Sequence, residues 1–182
     1  MKTGILAVMY GTGPKTLASQ LDITEKEARD FIEQFYAKYP KVKAWIDNNE
    51  RFAKKYGYVE MFMGRKRRLP EARSKDRFEQ FRAMRQATNA IIQGSAAIQT
   101  KLTMLETQKL CRRKGWTMAF QVHDELGVYV PEDITLDDVR EFEAVMLNTV
   151  KLRVPNKSDI EISRRWGEGM SVEEWFKTKE DD

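Results

Sequence analysis

The chain has one histidine, and it stands directly before two carboxylates: His123, Asp124 and Glu125 interrupt the run "WTMAFQVHDELGVYVP". Adjacent carboxylates held by rigid strands suit a hard divalent cation such as Mg²⁺, which takes oxygen ligands from one or two carboxylates together with waters and substrate phosphates. Asp and Glu are also common in turns, so a purely structural turn is the competing reading. A second group opens the chain, where Lys2, Leu6 and Tyr10 recur at a spacing of four in "KTGILAVMYG". On a helix they stack along one side, with the lysine at the end where the helix dipole already favours anions. An ordinary amphipathic face has the same spacing. Arg85, Asn89 and Gln93 repeat it further on, where surface polarity is the alternative.

Charge adds a third feature. The formal net charge is +4, and the segment "GRKRRLPEARSKDRFEQFRAMR" from Gly64 to Arg85 holds most of the clustered cations, while the tail "EEWFKTKEDD" is acidic. Cations interleaved with Phe78 and Phe81 suit a polyanion such as nucleic acid; a solvated helix face laced with salt bridges is the other reading.

These groups need elements to hold them. At 182 residues the chain can bury a core as one domain or two small lobes. A lone cysteine, Cys111, excludes an internal disulfide and fits a reducing compartment. No apolar run reaches bilayer length and no signal peptide opens the chain, which reads as soluble and cytoplasmic. Gly11 is placed to cap the first helix in the left-handed conformation. "GPKTLASQL" reads as a short helix. "DITEKEARDFIEQFYAKYP" reads as another, with Thr24 and Glu27 forming a capping box, Ala28, Phe31, Ile32, Phe35 and Tyr39 at helical spacing, and Pro40 at its end. "KVKAWIDNNERFAKKYG" is a helix closed by Gly57, and "YVEMFMGRKRRLP" is an extended, turn-rich segment ending in a basic loop. From Asp76 to Lys114 the absence of proline and apolar residues at 78, 81, 84, 91, 92, 102 and 105 predict one long helix or two nearly continuous ones. Gly115 stops it behind Arg112, Arg113 and Lys114, and the small residues of "QGSAA" at 93–97 leave room for another backbone or a ligand. The period then changes to two, predicting a β-hairpin with His123, Asp124 and Glu125 at its tip. A helix from Leu136 to Leu152 and a strand at 159–163 follow.

Three separated motifs, in order, now resemble one family. "KTGILAVMYG", "RQATNAIIQGSAAIQTKL" and "FQVHDELGVYV" are similar to the fingers helix, the long palm helix and the metal-binding hairpin of family A DNA polymerases, the family of bacterial DNA polymerase I. "YPKVKAWID…YGYVEMFMGRKRRLP" and "VPNKSDIEISRRWGEGMSVEEWF" resemble it too, so the likeness covers essentially the whole chain. It implies an α+β fold: a mostly helical fingers lobe with its basic loop at 1–75, and at 76–182 the C-terminal part of a right-hand palm with an antiparallel hairpin. It implies DNA-directed DNA synthesis, with primer-template DNA and dNTPs as partners and Mg²⁺ in a two-metal site that activates the primer 3′-hydroxyl and stabilises the pyrophosphate leaving group. Asp124 would be a catalytic metal ligand with Glu125 beside it, and His123 would face the primer terminus. Lys2 would contact the nucleotide's phosphates as a further catalytic group, Leu6 its sugar and base, and Tyr10 would pack at the templating position. Arg65, Arg67 and Arg68 would lie near the template strand, and Arg85, Asn89 and Gln93 near the growing primer end.

The sequence departs from the family in two ways. The family's other metal aspartate sits in a segment of the form D-x-S-x-x-E-x-R, which these residues lack; Asp159 and Glu161 alternate on an expected strand without its surroundings. Leu6 stands where the family usually has Phe or Tyr. The resemblance therefore implies the C-terminal portion of a longer or split, phage-type polymerase, completed by an N-terminal fragment carrying the first aspartate and inactive alone. Its location would be the bacterial cytoplasm, or the host's if phage-encoded. An inert remnant that binds DNA, and an unrelated helical interaction protein with a basic face, are the alternatives.

Overall fold

The computed structural model describes residues 2–180, and the side chains of 3–178. The chain forms two compact units, one up to Ser95 and one from Ala96 onward. This is a division of packing, separate from the division of roles expected at 75/76.

The first unit begins with four helices, α1 (Lys2–Met9), α2 (Pro14–Leu21), α3 (Glu25–Lys38) and α4 (Pro40–Tyr56). Helix α1 ends in a Schellman motif: Gly11 takes φ +74°, its N–H donates to the Val8 carbonyl (3.0 Å), and the Thr12 N–H donates to that of Ala7 (2.9 Å). The face of α1 that meets the core carries Ala7 and Val8, packed with Leu17, Ala18 and Ala28 from α2 and α3. The α3 capping box forms as read, the Thr24 N–H donating to Glu27 (2.9 Å) and the Glu27 N–H to Thr24 Oγ1 (3.2 Å). Gly57, at φ +73°, closes α4.

The segment expected as a turn-rich stretch ending in a basic loop is a paired ribbon. Strands β1 (Tyr58–Glu60) and β2 (Lys66–Arg68) run antiparallel with Val59 opposite Arg67, joined through a 3₁₀ turn at Phe62–Gly64. Arg67 and Arg68 thus lie on a strand, because Val59 gives the ribbon a buried residue to fold over while every β2 side chain faces solvent.

A single helix, α5 (Arg77–Lys114), settles the choice between one helix and two. Ala83, Met84 and Ala87 of its first part pack with Ala53, Val59, Leu69 and Ala72. Three of the apolar residues that suggested the helix face outward instead: Phe78 is 89% exposed, Phe81 67% and Leu105 62%. Small residues sit against the core here, because Ala83 and Ala87 let α5 come close to α4 and the ribbon.

In the second unit, Leu110 and Cys111 of α5 pack with Trp116, Ile134 and Val139. Burial pushes the Cys111 thiol's pKa up, which makes it a core residue with little thiolate character. Strands β3 (Thr117–Val122) and β4 (Glu125–Tyr129) form the expected hairpin, with an irregularity at Ala119. Helix α6 runs from Leu136 to Asn148, stopping short of Leu152. The Asn148 and Thr149 side chains donate back to the carbonyls of Ala144 and Val145, and Asn156 Nδ2 donates to those of Leu147 and Val150, the latter two at 2.9 Å each. Side chains thus take over the last carbonyls and the helix ends. The expected strand at 159–163 is reduced to β5 (Glu161–Ile162), paired with β6 (Met170–Ser171) before α7 (Val172–Glu180). Helices joined to three small antiparallel ribbons make the α+β class that the sequence implies.

Candidate nucleic-acid and metal sites

In the second unit, β3 and β4 are joined by a two-residue turn, His123 and Asp124, with Val122 opposite Glu125. His123 has φ +54°, a region where glycine is the usual occupant, so the turn is held in a conformation its first residue does not favour. Gln121 helps to hold it, its side-chain amide donating to the His123 carbonyl. Only His123 and Asp124 occupy the turn; Glu125 begins β4 and is less a tip residue than expected. Both carboxylates are exposed, and neither hydrogen-bonds or ion-pairs with another described residue.

Asp124 and Glu125 border an open groove of about 660 Å³ that Asp159, Glu161 and Lys157 also line. Lys157 pairs with Asp159 at 2.9 Å, whereas Asp124 stays free. Gln99 reaches the same wall, donating to Asn156 Oδ1 at 3.3 Å. Among the described residues no three His, Cys, Asp or Glu side chains come together to hold a metal. The donor set fits Mg²⁺ nonetheless: two hard, unpaired carboxylates, Asp124 on the turn and Glu125 at the start of β4, leave most positions to water and phosphate oxygens.

The first unit holds the remaining candidates. Leu6 of α1 is 43% exposed, whereas the neighbouring Ala7 and Val8 are buried. Tyr10 follows the helix, and its hydroxyl accepts a 2.7 Å hydrogen bond from Gln93 Nε2 of α5. Two cavities flank Tyr10. One, of about 470 Å³, includes Leu6; the other, of about 460 Å³, is lined by Gly11, Arg82, Arg85, Gln86 and Asn89. The Arg85 side chain lies against Gly11, where a Cβ would stand 3.3 Å from its Cγ. The spacing of four picks out Arg85, Asn89 and Gln93 on this face and misses Arg82 and Gln86, although positions 82, 86, 89 and 93 recur at the helical three-and-four spacing. The Lys2 side chain lies outside the described residues.

The room left by "QGSAA" is filled by the chain itself. The Met61 side chain lies over Gly94, and the Phe62 N–H donates to Ser95 Oγ at 3.0 Å. This clasp docks the ribbon of Arg65, Arg67 and Arg68 on α5. The three arginines are exposed and take part in no ion pair among the described residues.

Residues 1–168 match the family model for DNA polymerase family A. The thermostable DNA polymerase I of Thermus filiformis is 36% identical over 165 residues, covering 91% of this chain and 20% of that protein. DNA polymerase I of Geobacillus stearothermophilus is 38% identical over 161 residues, 87% of this chain and 18% of that protein. The chain thus spans about a fifth of the length of these relatives. Among solved structures, the POL domain of Pol1 from M. smegmatis, in complex with DNA primer-template and dNTP, superposes with a TM-score of 0.79 at 33% identity, covering 85% of this chain and 28% of that one. With the family's model matched from the opening helix through the hairpin and beyond, the chain belongs to DNA polymerase family A.

Proposed function

We propose that this chain provides the nucleotide-selecting helix and one carboxylate turn of a DNA-directed DNA polymerase, with primer-template DNA and dNTPs as its ligands, in a cytoplasmic setting. The observation that carries the reading is Asp124: an unpaired carboxylate, fixed on a strained two-residue turn at the edge of an open groove, in a chain of this family. Asp124, with Glu125 beside it, would hold Mg²⁺, which supplies acidification of the primer 3′-hydroxyl and charge neutralisation on the transferring phosphate. The family's other metal aspartate is absent from the sequence, and a segment outside these 182 residues supplies it, in a longer parent or an N-terminal partner fragment. His123 faces the primer terminus. Leu6 contacts the incoming sugar and base, Tyr10 closes the templating position, and Lys2 meets the triphosphate. Arg85, Asn89 and Gln93 hold primer and template near the growing end, while Arg65, Arg67 and Arg68 neutralise template phosphates. The fingers role ends near residue 75 and the palm role begins there.

Alone, the chain binds DNA without extending it, because the D-x-S-x-x-E-x-R segment that carries the other metal aspartate is not among its residues. The test is primer extension by the purified chain, with and without a polymerase fragment carrying the D-x-S-x-x-E-x-R segment. Synthesis is expected only in the mixture and not with Asp124→Ala. Extension by the isolated chain, free of other polymerases, refutes the completion model.

A further inference from the structure

Three aromatic rings touch on the solvent side of the first unit. Phe52 and Tyr56 lie one turn apart on α4 with ring centroids 4.6 Å apart, and Tyr58 on β1 stands 5.3 Å from Phe52 and 6.2 Å from Tyr56. The buried residue on this turn of α4 is Ala53, while Phe52 is 36% exposed and Tyr56 46%. The cluster is therefore an outward platform. Lysines cover it: Lys55 Nζ lies 4.9 Å from the Tyr56 ring centre and Lys66 Nζ 4.6 Å from that of Tyr58. From Arg51 to Arg73 the sequence carries eight lysines and arginines against two glutamates. Among the described residues, Lys54, Lys55, Lys66, Arg67 and Arg68 enter no ion pair.

Exposed rings, cations not committed to any carboxylate and a local surplus of positive charge are the elements of a single-strand binding surface. Phosphates meet the cations, and an unpaired base stacks on a ring. A duplex cannot use the rings, because its base faces are already stacked. The tilts between the rings, 47° for Phe52 with Tyr56 and 87° for Phe52 with Tyr58, prevent a continuous pile of bases, so the platform takes one base. Tyr56, the most exposed of the three, is the ring that receives it.

We propose that Tyr56, braced by Phe52 and Tyr58, is a stacking site for one unpaired base of single-stranded nucleic acid, with Lys55 and Lys66 moving from the ring faces onto the flanking phosphates. The proposal shares with the polymerase reading only the premise that nucleic acid is the ligand; it concerns a strand outside the primer-template duplex.

The test uses the full chain and fluorescence anisotropy with labelled oligothymidine and oligouridine of about twelve nucleotides, and a blunt DNA duplex. Tyr56→Ala is expected to weaken single-strand binding about fivefold or more, Tyr56→Phe to stay within about twofold of the parent, and duplex binding to be unmoved by either. The oligouridine arm assigns the strand to RNA as well as DNA if it loses equally, and to DNA if only oligothymidine loses. Oligothymidine affinity unchanged in Tyr56→Ala, or an equal loss for duplex, overturns the proposal. Photocrosslinking of 5-iodouracil oligonucleotide to the unsubstituted chain gives a second readout that does not depend on a variant folding: adducts are expected at Tyr56 or Tyr58, and adducts confined to other segments overturn the assignment. Duplex binding that persists while the Tyr56 effect is missing removes the platform and leaves the polymerase reading standing.

Discussion

The Gln93 side chain donates a 2.7 Å hydrogen bond to the Tyr10 hydroxyl, tying the long helix to the residue that follows the opening one. Tyr10→Phe and Gln93→Ala should each remove the same bond, at the low end of the range of about 0.5–1.5 kcal/mol because the bond lies at the surface. A double-mutant cycle measured by urea unfolding should give a coupling of about 0.5 kcal/mol. Strict additivity would show that the bond is not made in solution.

Asp124 and Asp159 border one groove, but only Asp159 is paired, with Lys157. In the reconstituted polymerase, Asp124→Ala should lower extension by several orders of magnitude and Asp159→Ala by less than about tenfold. Comparable losses from the two would move the metal site along the groove.

Replacing Arg65, Arg67 and Arg68 by alanine should weaken primer-template binding. The slope of log affinity against log salt should flatten by about 3, at roughly 0.9 for each phosphate that is no longer neutralised. Titrations at several salt concentrations measure it, and an unchanged slope assigns these arginines to plain solvation.

Leu6 has neither hydroxyl nor ring, and 43% of its surface is open beside Tyr10. The assembled enzyme should reject dideoxynucleotides strongly. Leu6→Tyr should relax that rejection by one or two factors of ten, the worth of about 1–3 kcal/mol for a hydrogen bond restored at a buried polar site, whereas Leu6→Phe should change it little. Competing normal and dideoxy nucleotides on one template gives the ratio. If Leu6→Tyr leaves it unmoved, Leu6 does not face the sugar.

Asp138 accepts hydrogen bonds from Lys114 Nζ at 2.7 Å and from the Thr135 N–H and hydroxyl, and these hold its carboxyl well below the ordinary value of 3.8. A lowered folded-state pKa stabilises the chain above the unfolded value and ceases to do so as pH falls through the folded one. Asp138→Asn should therefore melt at lower temperature than the parent at neutral pH, and the gap should close on acidification below about pH 4. Melting curves across that range check it; a constant gap would assign the loss to the α6 cap alone.

Local signals were the most legible part of the sequence. Thr24 and Glu27 form their box, Gly11, Gly57 and Gly115 all take positive φ, and the change of period at Trp116 marks the hairpin, because each is decided by a few neighbouring residues. Outward and inward faces of α5 were not legible. Phe78 and Phe81 look like core to any hydrophobic count, yet the ribbon and α4 meet α5 at Ala83 and Ala87, and only tertiary packing makes that choice. Gln121 and Asn156 were invisible for a related reason. Each acts by donating to main-chain carbonyls, one at a turn and one at the end of a helix, and a polar side chain gives no sign of such a target. Of the sites, the sequence names the residues one by one, while the Tyr10–Gln93 bond and the groove at Asp124 exist only once the elements are packed.

The Met61–Gly94 contact has a consequence for how this surface can change over time. An alanine at 94 would collide with the Met61 thioether, an unbranched side chain able to swing aside, so the disturbance would fall on the seating of the ribbon more than on folding. One methyl group on an uncharged residue would then shift three arginines without altering their number. If the proposed template-phosphate role of these arginines holds, Gly94→Ala should change primer-template affinity more than it changes thermal stability.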